Sequence, residues 1–120
     1  MKIAVSACGQ DLESMVDARF GRCGHFVVVD TETGECRAVN NGINLNSAQG
    51  AGIQSARNIS TQGVAAVITG HCGPKAFRVL RAAGIKVYPG GGGSVGDAVA
   101  KFKQGLLEEA QTADVEGHWS

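Results

Sequence analysis

Five side chains of this chain are suited by their chemistry to bind a soft metal. They are Cys8, Cys23, Cys72, His25 and His71. Thiolates bind soft metals such as copper(I) and the iron of iron–sulfur clusters, and imidazoles bind iron and copper as well. Two nearby cations, Arg19 and Arg22, would stabilise a negatively charged cluster. The residue types therefore predict a soft-metal or cluster site, provided that the fold brings these groups together.

Each cysteine also has a purely structural interpretation. A free cysteine in a protein interior behaves as a small hydrophobic residue, and this role is about as common as a ligand role for any one of them. Cys36 is expected to be idle in this way. The sequence contains no C-x-x-C pair that would favour metal binding over packing. A partner-binding module without any cofactor therefore stays open as one alternative.

Cys72 also stands in a pattern typical of cysteine-dependent phosphatases. The segment from His71 to Arg78 has the spacing H-C-x5-R and lies between a predicted strand and a predicted helix. A thiolate at a helix N-terminus has a lowered pKa and could attack phosphorus. Against this, Pro74 removes a backbone N–H from the loop, Val79 replaces the usual hydroxyl residue, and the sequence offers no convincing general-acid aspartate. This enzyme is the second alternative.

Glycine makes up 18 of the 120 residues and is concentrated in short clusters. Gly91, Gly92 and Gly93 open a G-x-G-x-x-G match, but a run of four glycines meets that pattern almost automatically. No strand follows to supply the acidic residue of a dinucleotide site. Backbone N–H groups before a helix can instead form an anion-binding nest. We therefore place these three glycines in the predicted cofactor site.

Composition limits the class of protein. The 11 basic and 11 acidic residues cancel, which argues against a nucleic-acid binder. No stretch approaches the ~20 apolar residues of a membrane span, and no secretory signal is evident. We expect a cytoplasmic protein with reduced thiols and with neither nucleic acid nor membrane as a partner. One α/β domain is expected over residues 1–107, followed by a loosely ordered tail over 108–120.

The elements that must position these residues follow the order β-loop-β-β-α-β-α-β-α. Apolar runs predict strands at 2–7, 26–30, 35–40, 64–69 and 85–88. Helices are predicted at 50–62, from Pro74 to about Gly84, and from a capping box at Ser94 through Leu106. Strands four and five follow helices, so they should run parallel to their neighbours. The predicted sheet order is 3-2-1-4-5, with only strand two antiparallel.

This topology brings the candidate residues to one edge of the sheet. Strand one ends at Cys8 and strand four ends at His71, so parallel neighbours place both there. Strand two runs the other way, which puts its beginning, with Cys23, at the same edge. Cys36 falls at the opposite edge. Open α/β sheets bind ligands beyond the carboxyl ends of their strands, so this edge is the predicted site.

Four short motifs, taken together and in this order, make the chain similar to a known family. They are Asp17-Ala18-Arg19-Phe20-Gly21-Arg22, Gly50-Ala51-Gly52-Ile53, Gly70-His71-Cys72-Gly73-Pro74-Lys75-Ala76 and Ala83-Gly84-Ile85-Lys86-Val87-Tyr88. Over about residues 1–107 the chain resembles the dinitrogenase iron–molybdenum cofactor biosynthesis family. In size and layout it is similar to the stand-alone, orange-protein type of that family.

The resemblance implies a three-layer, ribonuclease H-like α/β fold and a non-enzymatic role. It implies binding or carriage of an anionic metal–sulfur cofactor, either an iron–molybdenum cofactor precursor (Mo-Fe-S) or a molybdenum–copper sulfide cluster (Mo-Cu-S). A protein that donates or accepts the cluster would be a partner. The motif positions carried over are Arg19, Gly21, Arg22, Gly70 and Gly73, while Cys8, Cys23, His71 and Cys72 remain candidate metal ligands from chemistry alone. A nuclease is not expected, since strand one carries no carboxylate.

Overall fold

The strands and helices occur in the predicted order in a computed structural model that describes residues 1–41, 51–90 and 92–111. The strands are β1 (Lys2–Ala7), β2 (His25–Asp30), β3 (Cys36–Asn40), β4 (Ala66–Thr69) and β5 (Lys86–Pro89). The helices are α1 (Ala51–Ser60), α2 (Pro74–Ala82) and α3 (Val95–Lys103). Gly91 and the end of the predicted tail, 112–120, lie outside the described residues.

The five strands form one mixed sheet in the order β3-β2-β1-β4-β5. β1 pairs in parallel with β4, and β4 in parallel with β5. β2 is antiparallel to both of its neighbours. The predicted order and the single antiparallel strand are therefore confirmed.

Helices cover both faces of the sheet, which gives the predicted three layers. Alternate residues of a strand point to opposite faces, and β1 shows this: Ala4 joins the core under α1 and α2, whereas Ile3 and Val5 join the core under α3. Leu80 of α2 and Val95 of α3 are fully buried on their respective sides. Because the strands pack apolar residues on both faces of the sheet, polar side chains that could bind a ligand are found at the sheet edges and in the loops.

Helix α3 begins as predicted and ends earlier than predicted. The Ser94 hydroxyl accepts from the Asp97 N–H at 3.1 Å and the Asp97 carboxylate accepts from the Ser94 N–H, which confirms the capping box. The prediction that the helix continues through Leu106 is wrong, since α3 ends at Lys103 and Leu106 is 65% exposed. Gly105 has a φ of +74° and its N–H donates to Phe102, so a Schellman turn ends the helix before that residue.

The loop between β1 and β2 contains a short extended stretch, residues 14–20, which we call the rim segment. It pairs with the end of β1 through Cys8 N–H to Met15 O and Asp17 N–H to Ser6 O, both at 2.9 Å. On its other side, the Val16 N–H donates to the Gly93 carbonyl at 2.9 Å. The rim segment therefore links β1 to the glycine-rich approach to α3.

The rim segment also reaches the end of β4, and a glycine makes this possible. The His71 N–H donates to Ala18 O at 2.7 Å, and the Phe20 N–H donates to His71 O at 3.2 Å. A Cβ at Gly70 would lie 2.7 Å from the Ala18 Cα and 2.8 Å from its Cβ and carbonyl oxygen. Because backbone atoms cannot move aside as a flexible side chain can, only glycine fits there.

Replacing Gly70 with alanine should therefore destabilise the protein. We expect Gly70→Ala to lower the free energy of unfolding by about 1–3 kcal/mol, the usual cost of overpacking. Equilibrium unfolding in urea measures it. Gly24→Ala is the matched control, because no described atom lies within 4 Å of a Cβ there and a less flexible unfolded chain should leave its stability unchanged or slightly higher. Equal stability of the two variants would contradict the role assigned to Gly70.

Candidate functional site

A groove of about 340 Å³ lies beyond the carboxyl ends of β4 and β5. Its lining residues are small or flat, and they are Val16, Ala18, Gly70, His71, Gly90 and Gly92. Gly70 and His71 follow β4 directly, and Gly90 follows β5. The rim segment supplies the remaining wall through Val16 and Ala18. The groove therefore lies at the sheet edge where the sequence predicts the site.

Of the predicted glycines, Gly70 and Gly92 line this groove, and Gly93 borders it through its hydrogen bond to Val16. Gly73 is buried at the N-cap of α2. Gly21 is also buried, and the Ser55 hydroxyl lies 3.3 Å from its carbonyl oxygen. Gly21 and Gly73 thus shape the loops around the site, whereas Gly70 and Gly92 form its surface.

Arg19 lies beside the groove, and a buried carboxylate holds it there. The backbone of Arg19 forms a bridge with His71. The Asp17 carboxylate, which is buried, accepts from the Arg19 N–H at 2.9 Å and from its Nε at 3.4 Å. The Arg19 side chain is 55% exposed. Its guanidinium can therefore offer further N–H donors to an anion at the mouth of the groove.

Arg22, the second predicted cation, is partly buried, and its N–H lies 3.4 Å from the Arg19 carbonyl oxygen. The turn made by this contact places Arg22 in the loop that directly follows the rim segment, three residues after Arg19. The role of Arg19 and Arg22 as an anion clamp stays a prediction.

Cys8 and His71 lie at the same end of the sheet, because β1 and β4 are parallel neighbours. The convergence of strand ends is therefore confirmed. Cys36 pairs with Val29 at the opposite edge, as predicted, beside a second cavity of about 200 Å³. Within residues 1–41, 51–90 and 92–111, no three His, Cys, Asp or Glu side chains are grouped so that they could hold a metal ion. Ligation by several thiols at once thus stays a prediction that would require side chains to move.

Cys23 lies in the hydrophobic core, where its role is packing. Its side chain is fully buried, and its Sγ donates to the Phe20 carbonyl oxygen at 3.3 Å. Burial, and to a smaller extent the negative charge of Asp17, raises the pKa of the Cys23 thiol to about 12. The thiol is therefore protonated at neutral pH, whereas a metal ligand must be a thiolate.

A buried polar network, which the sequence patterns do not predict, anchors the loop around Cys23. Asn41 is fully buried and its Nδ2 donates to the Cys23 carbonyl at 2.9 Å and to the Ser55 hydroxyl at 3.0 Å. The Asn41 N–H donates to the Gly24 carbonyl at 2.9 Å. These bonds join the end of β3 to α1 and to the loop before β2. The sequence shows that Asn41 is a polar residue at the end of a strand, but its burial depends on the tertiary packing.

A second buried pair lies under the rim segment. The Ser6 and Thr69 hydroxyl oxygens are 2.8 Å apart, and Ser6 Oγ is 2.7 Å from the Asp17 carbonyl oxygen. Since a carbonyl can only accept, the Ser6 hydroxyl donates to Asp17 and the Thr69 hydroxyl donates to Ser6. The pair ties β1 and β4 to the residue that holds Arg19.

The surroundings of Cys72 do not favour the phosphatase alternative. Cys72 is 4% exposed and belongs to the hydrophobic core that contains Phe77 and Leu80. Arg78 is exposed on α2, and Pro74 occupies the first helical turn, as predicted. The nucleophile of such an enzyme must reach its substrate at an open loop. Cys72 does not have that access.

His25 differs from His71 in having an unsatisfied atom. Its Nε2 lies 3.3 Å from Gln10 Nε2, and among the described residues its buried Nδ1 has no hydrogen-bond partner. His25 begins β2 opposite Ala7. It therefore stands at the predicted edge, beside β1 and away from the residues that line the groove.

Comparisons with known proteins agree with this geometry. A family model described as dinitrogenase iron-molybdenum cofactor matches residues 1–105. An uncharacterized protein of Methanocaldococcus jannaschii is 38% identical over 94 residues, which cover 75% of this chain and 78% of that protein. Across the described residues, no helix is long and apolar enough to cross a membrane.

Solved structures show the same fold. The apo form of the orange protein from Desulfovibrio gigas is 41% identical with a TM-score of 0.92, over 94% of this chain and 95% of that chain. A NifB-like protein from Thermotoga is 39% identical with a TM-score of 0.83, over 97% and 98% of the two chains. A dinitrogenase-like protein of Methanocaldococcus jannaschii, at 17% identity and a TM-score of 0.70 over 93% and 96%, shows the fold alone.

The two kinds of cysteine should be distinguishable by their reactivity. Cys8 and Cys36 are exposed, whereas Cys23 and Cys72 are buried. In the native, reduced protein at neutral pH, we expect a chromogenic disulfide reagent to label the two exposed thiols rapidly and the other two only after unfolding. Mass spectrometry of the peptides identifies the sites. Rapid labelling of Cys23 in the native state would contradict its burial.

The raised pKa of Cys23 also predicts a loss of stability in alkali. The unfolded thiol ionises near its ordinary value of 9.0, but the folded thiol ionises only near 12. Between these values the folded state holds a proton that the unfolded state has released, so the free energy of unfolding falls as the pH rises. We expect wild type to lose roughly 1 kcal/mol per pH unit more than Cys23→Ala above pH 9. Parallel urea titrations of the two proteins that show the same pH dependence would refute this.

Proposed function

Since this chain belongs to the dinitrogenase iron–molybdenum cofactor family, we propose that it binds an anionic metal–sulfur cluster in the groove and carries it without covalent attachment. The cluster would be an iron–molybdenum cofactor precursor or a molybdenum–copper sulfide species. The observation that carries this proposal is the groove itself, which the rim segment and the ends of β4 and β5 form at the expected edge of the sheet.

The walls of the groove suit a cluster that brings its own sulfur ligands. Three of the six lining residues are glycines, which leave backbone atoms accessible. The Gly90 and Gly92 N–H groups already donate to the Thr69 and Gly90 carbonyls, so what this surface offers is a close approach of the cluster sulfides to the backbone without any metal ligand. Val16 and Ala18 add small apolar contacts, which suit large and weakly hydrated sulfide surfaces. His71 is the lining side chain able to act as a donor or a metal ligand.

The charges near the groove favour an anion. Arg19 is fixed beside His71 by its backbone bridge and by the Asp17 carboxylate. Helix α2 begins directly after His71 and Cys72, and its described first turn contains no acidic residue. The partial positive charge of a helix N-terminus therefore adds to that of the arginine. Each contribution is modest at a solvated site, so binding would be reversible, as a carrier requires.

Likeness to the apo orange protein and to the NifB-like protein supports this class of cargo. A protein that delivers or receives the cluster would be the partner, because a carrier must exchange its cargo. The cysteines enter this proposal only as secondary ligands. Cys23 and Cys72 would have to leave the core to reach a metal, and Cys8 stands outside the lining of the groove.

Filling the groove should weaken cluster binding. Gly92 lines it without a positive φ, and no described atom lies within 4 Å of a Cβ there, so a leucine can enter the space without strain. With tetrathiomolybdate as the probe, alone and with copper(I), we expect Gly92→Leu to weaken binding by at least about tenfold, since overpacking costs 1–3 kcal/mol.

Arg19→Gln should weaken binding of the same probe by roughly fivefold and reduce the salt dependence of binding.

Binding is measured anaerobically by absorption and metal analysis after gel filtration. Ala100→Leu on the exposed surface of α3 is the control, because it adds a similar side chain away from the groove. Undiminished binding by Gly92→Leu would exclude the groove as the site. Failure of the wild type to retain any cluster would favour the alternative of a partner-binding module without cofactor.

A further inference from the structure

Two sulfur-containing side chains are exposed next to each other at the end of β1. Cys8 is exposed, and Met15 is 56% exposed although methionine is normally buried. The Cys8 N–H donates to the Met15 carbonyl at 2.9 Å, so the two residues lie on adjacent strands. Met15 is not needed for packing, because the next residue, Val16, makes the apolar contact with the core under α3.

The register places both sulfur side chains on the same face. Ala7 and Val16 form an antiparallel bridge, which makes Cys8 and Met15 the next opposed pair. Opposed residues in an antiparallel pair project to the same side, with Cβ atoms about 4.5–5.5 Å apart. Ala7 and Val16 project to the other side, where they pack under α3. Cys8 and Met15 therefore face away from Val16 and from the groove that it lines.

This pairing suits a soft, monovalent metal. Thiolate and thioether ligands select copper(I). A metal–thiolate bond is about 2.3 Å long for zinc and similar for copper, so two sulfurs on opposite sides of one ion lie roughly 4.6 Å apart. With Cβ atoms about 4.5–5.5 Å apart on one face, the Cys8 sulfur one bond further out and the Met15 sulfur two bonds further out can adopt that separation, since methionine has three rotatable bonds. Zinc would need further ligands, and the described residues offer no group of three His, Cys, Asp or Glu for it.

We propose that Cys8 and Met15 together bind one copper(I) ion in two-coordinate geometry. Binding replaces the thiol proton of Cys8, which passes to solvent, and the Met15 thioether donates a lone pair. The copper remains copper(I) throughout, so no oxidant or reductant takes part. This site lies on the side of the rim segment that faces away from the groove, and it does not depend on cluster binding in the groove.

The test is an anaerobic competition for copper(I) against a chromophoric copper(I) chelator, with no molybdenum present. The wild type should withdraw one equivalent of copper(I) from the chelator. Cys8→Ser should abolish this, and Met15→Leu, which keeps the volume but removes the sulfur, should weaken it by at least about tenfold, as loss of even a supporting group does at metal sites. Both residues are exposed, so neither variant should perturb folding.

Cys36→Ser is the matched control, since Cys36 is the other exposed cysteine and lies at the opposite edge of the sheet. It should bind copper(I) like the wild type, and so should Gly92→Leu, which separates this site from the groove. Unchanged affinity in Met15→Leu would overturn the proposal, because the thiol alone would then account for binding. Loss of binding in Cys36→Ser would overturn it as well.

Discussion

Backbone hydrogen bonds that hold the rim segment against the ends of β1 and β4 determine the shape of the groove and the position of Arg19. Through Asp17 and Met15 the segment pairs with β1, and through Ala18 it pairs with the residue after β4. The second contact exists only because Gly70 has no side chain. Without it the groove would lose the wall that Val16 and Ala18 provide, and Arg19 would not be set beside His71.

An extended segment between two strand ends necessarily separates its side chains into two sets. Val16 and Ala18 line the groove, whereas Met15 projects to the other side beside Cys8. The candidate side chains that the sequence predicts in one pocket therefore lie on two different surfaces and in the core. The polar network of Asn41 and Ser55 holds the loop behind the segment, so that Cys23 serves packing.

The sheet, its order and most element ends were predictable from the sequence, because they depend on local signals. Apolar strands, Pro74 at the start of α2 and the capping box at Ser94 are short-range patterns with a direct physical cause. The early end of α3 has such a signal as well, in Gly105, but the apolar Leu106 after it favours a longer helix.

The interior of the site was less predictable, because it depends on a segment without periodicity. Residue type alone cannot show that Cys23 faces the core and Cys8 faces solvent, since both follow from the register of the rim segment and of β2. The position of the rim segment in turn depends on its close approach to Gly70, a contact between residues distant in the sequence. The proposed carrier role would benefit from this arrangement. Three thiolates gathered around a cluster would hold it by strong metal–sulfur bonds, whereas a glycine-walled groove beside one exposed arginine would hold an anion by hydrogen bonds and charge, which a receiving protein can displace.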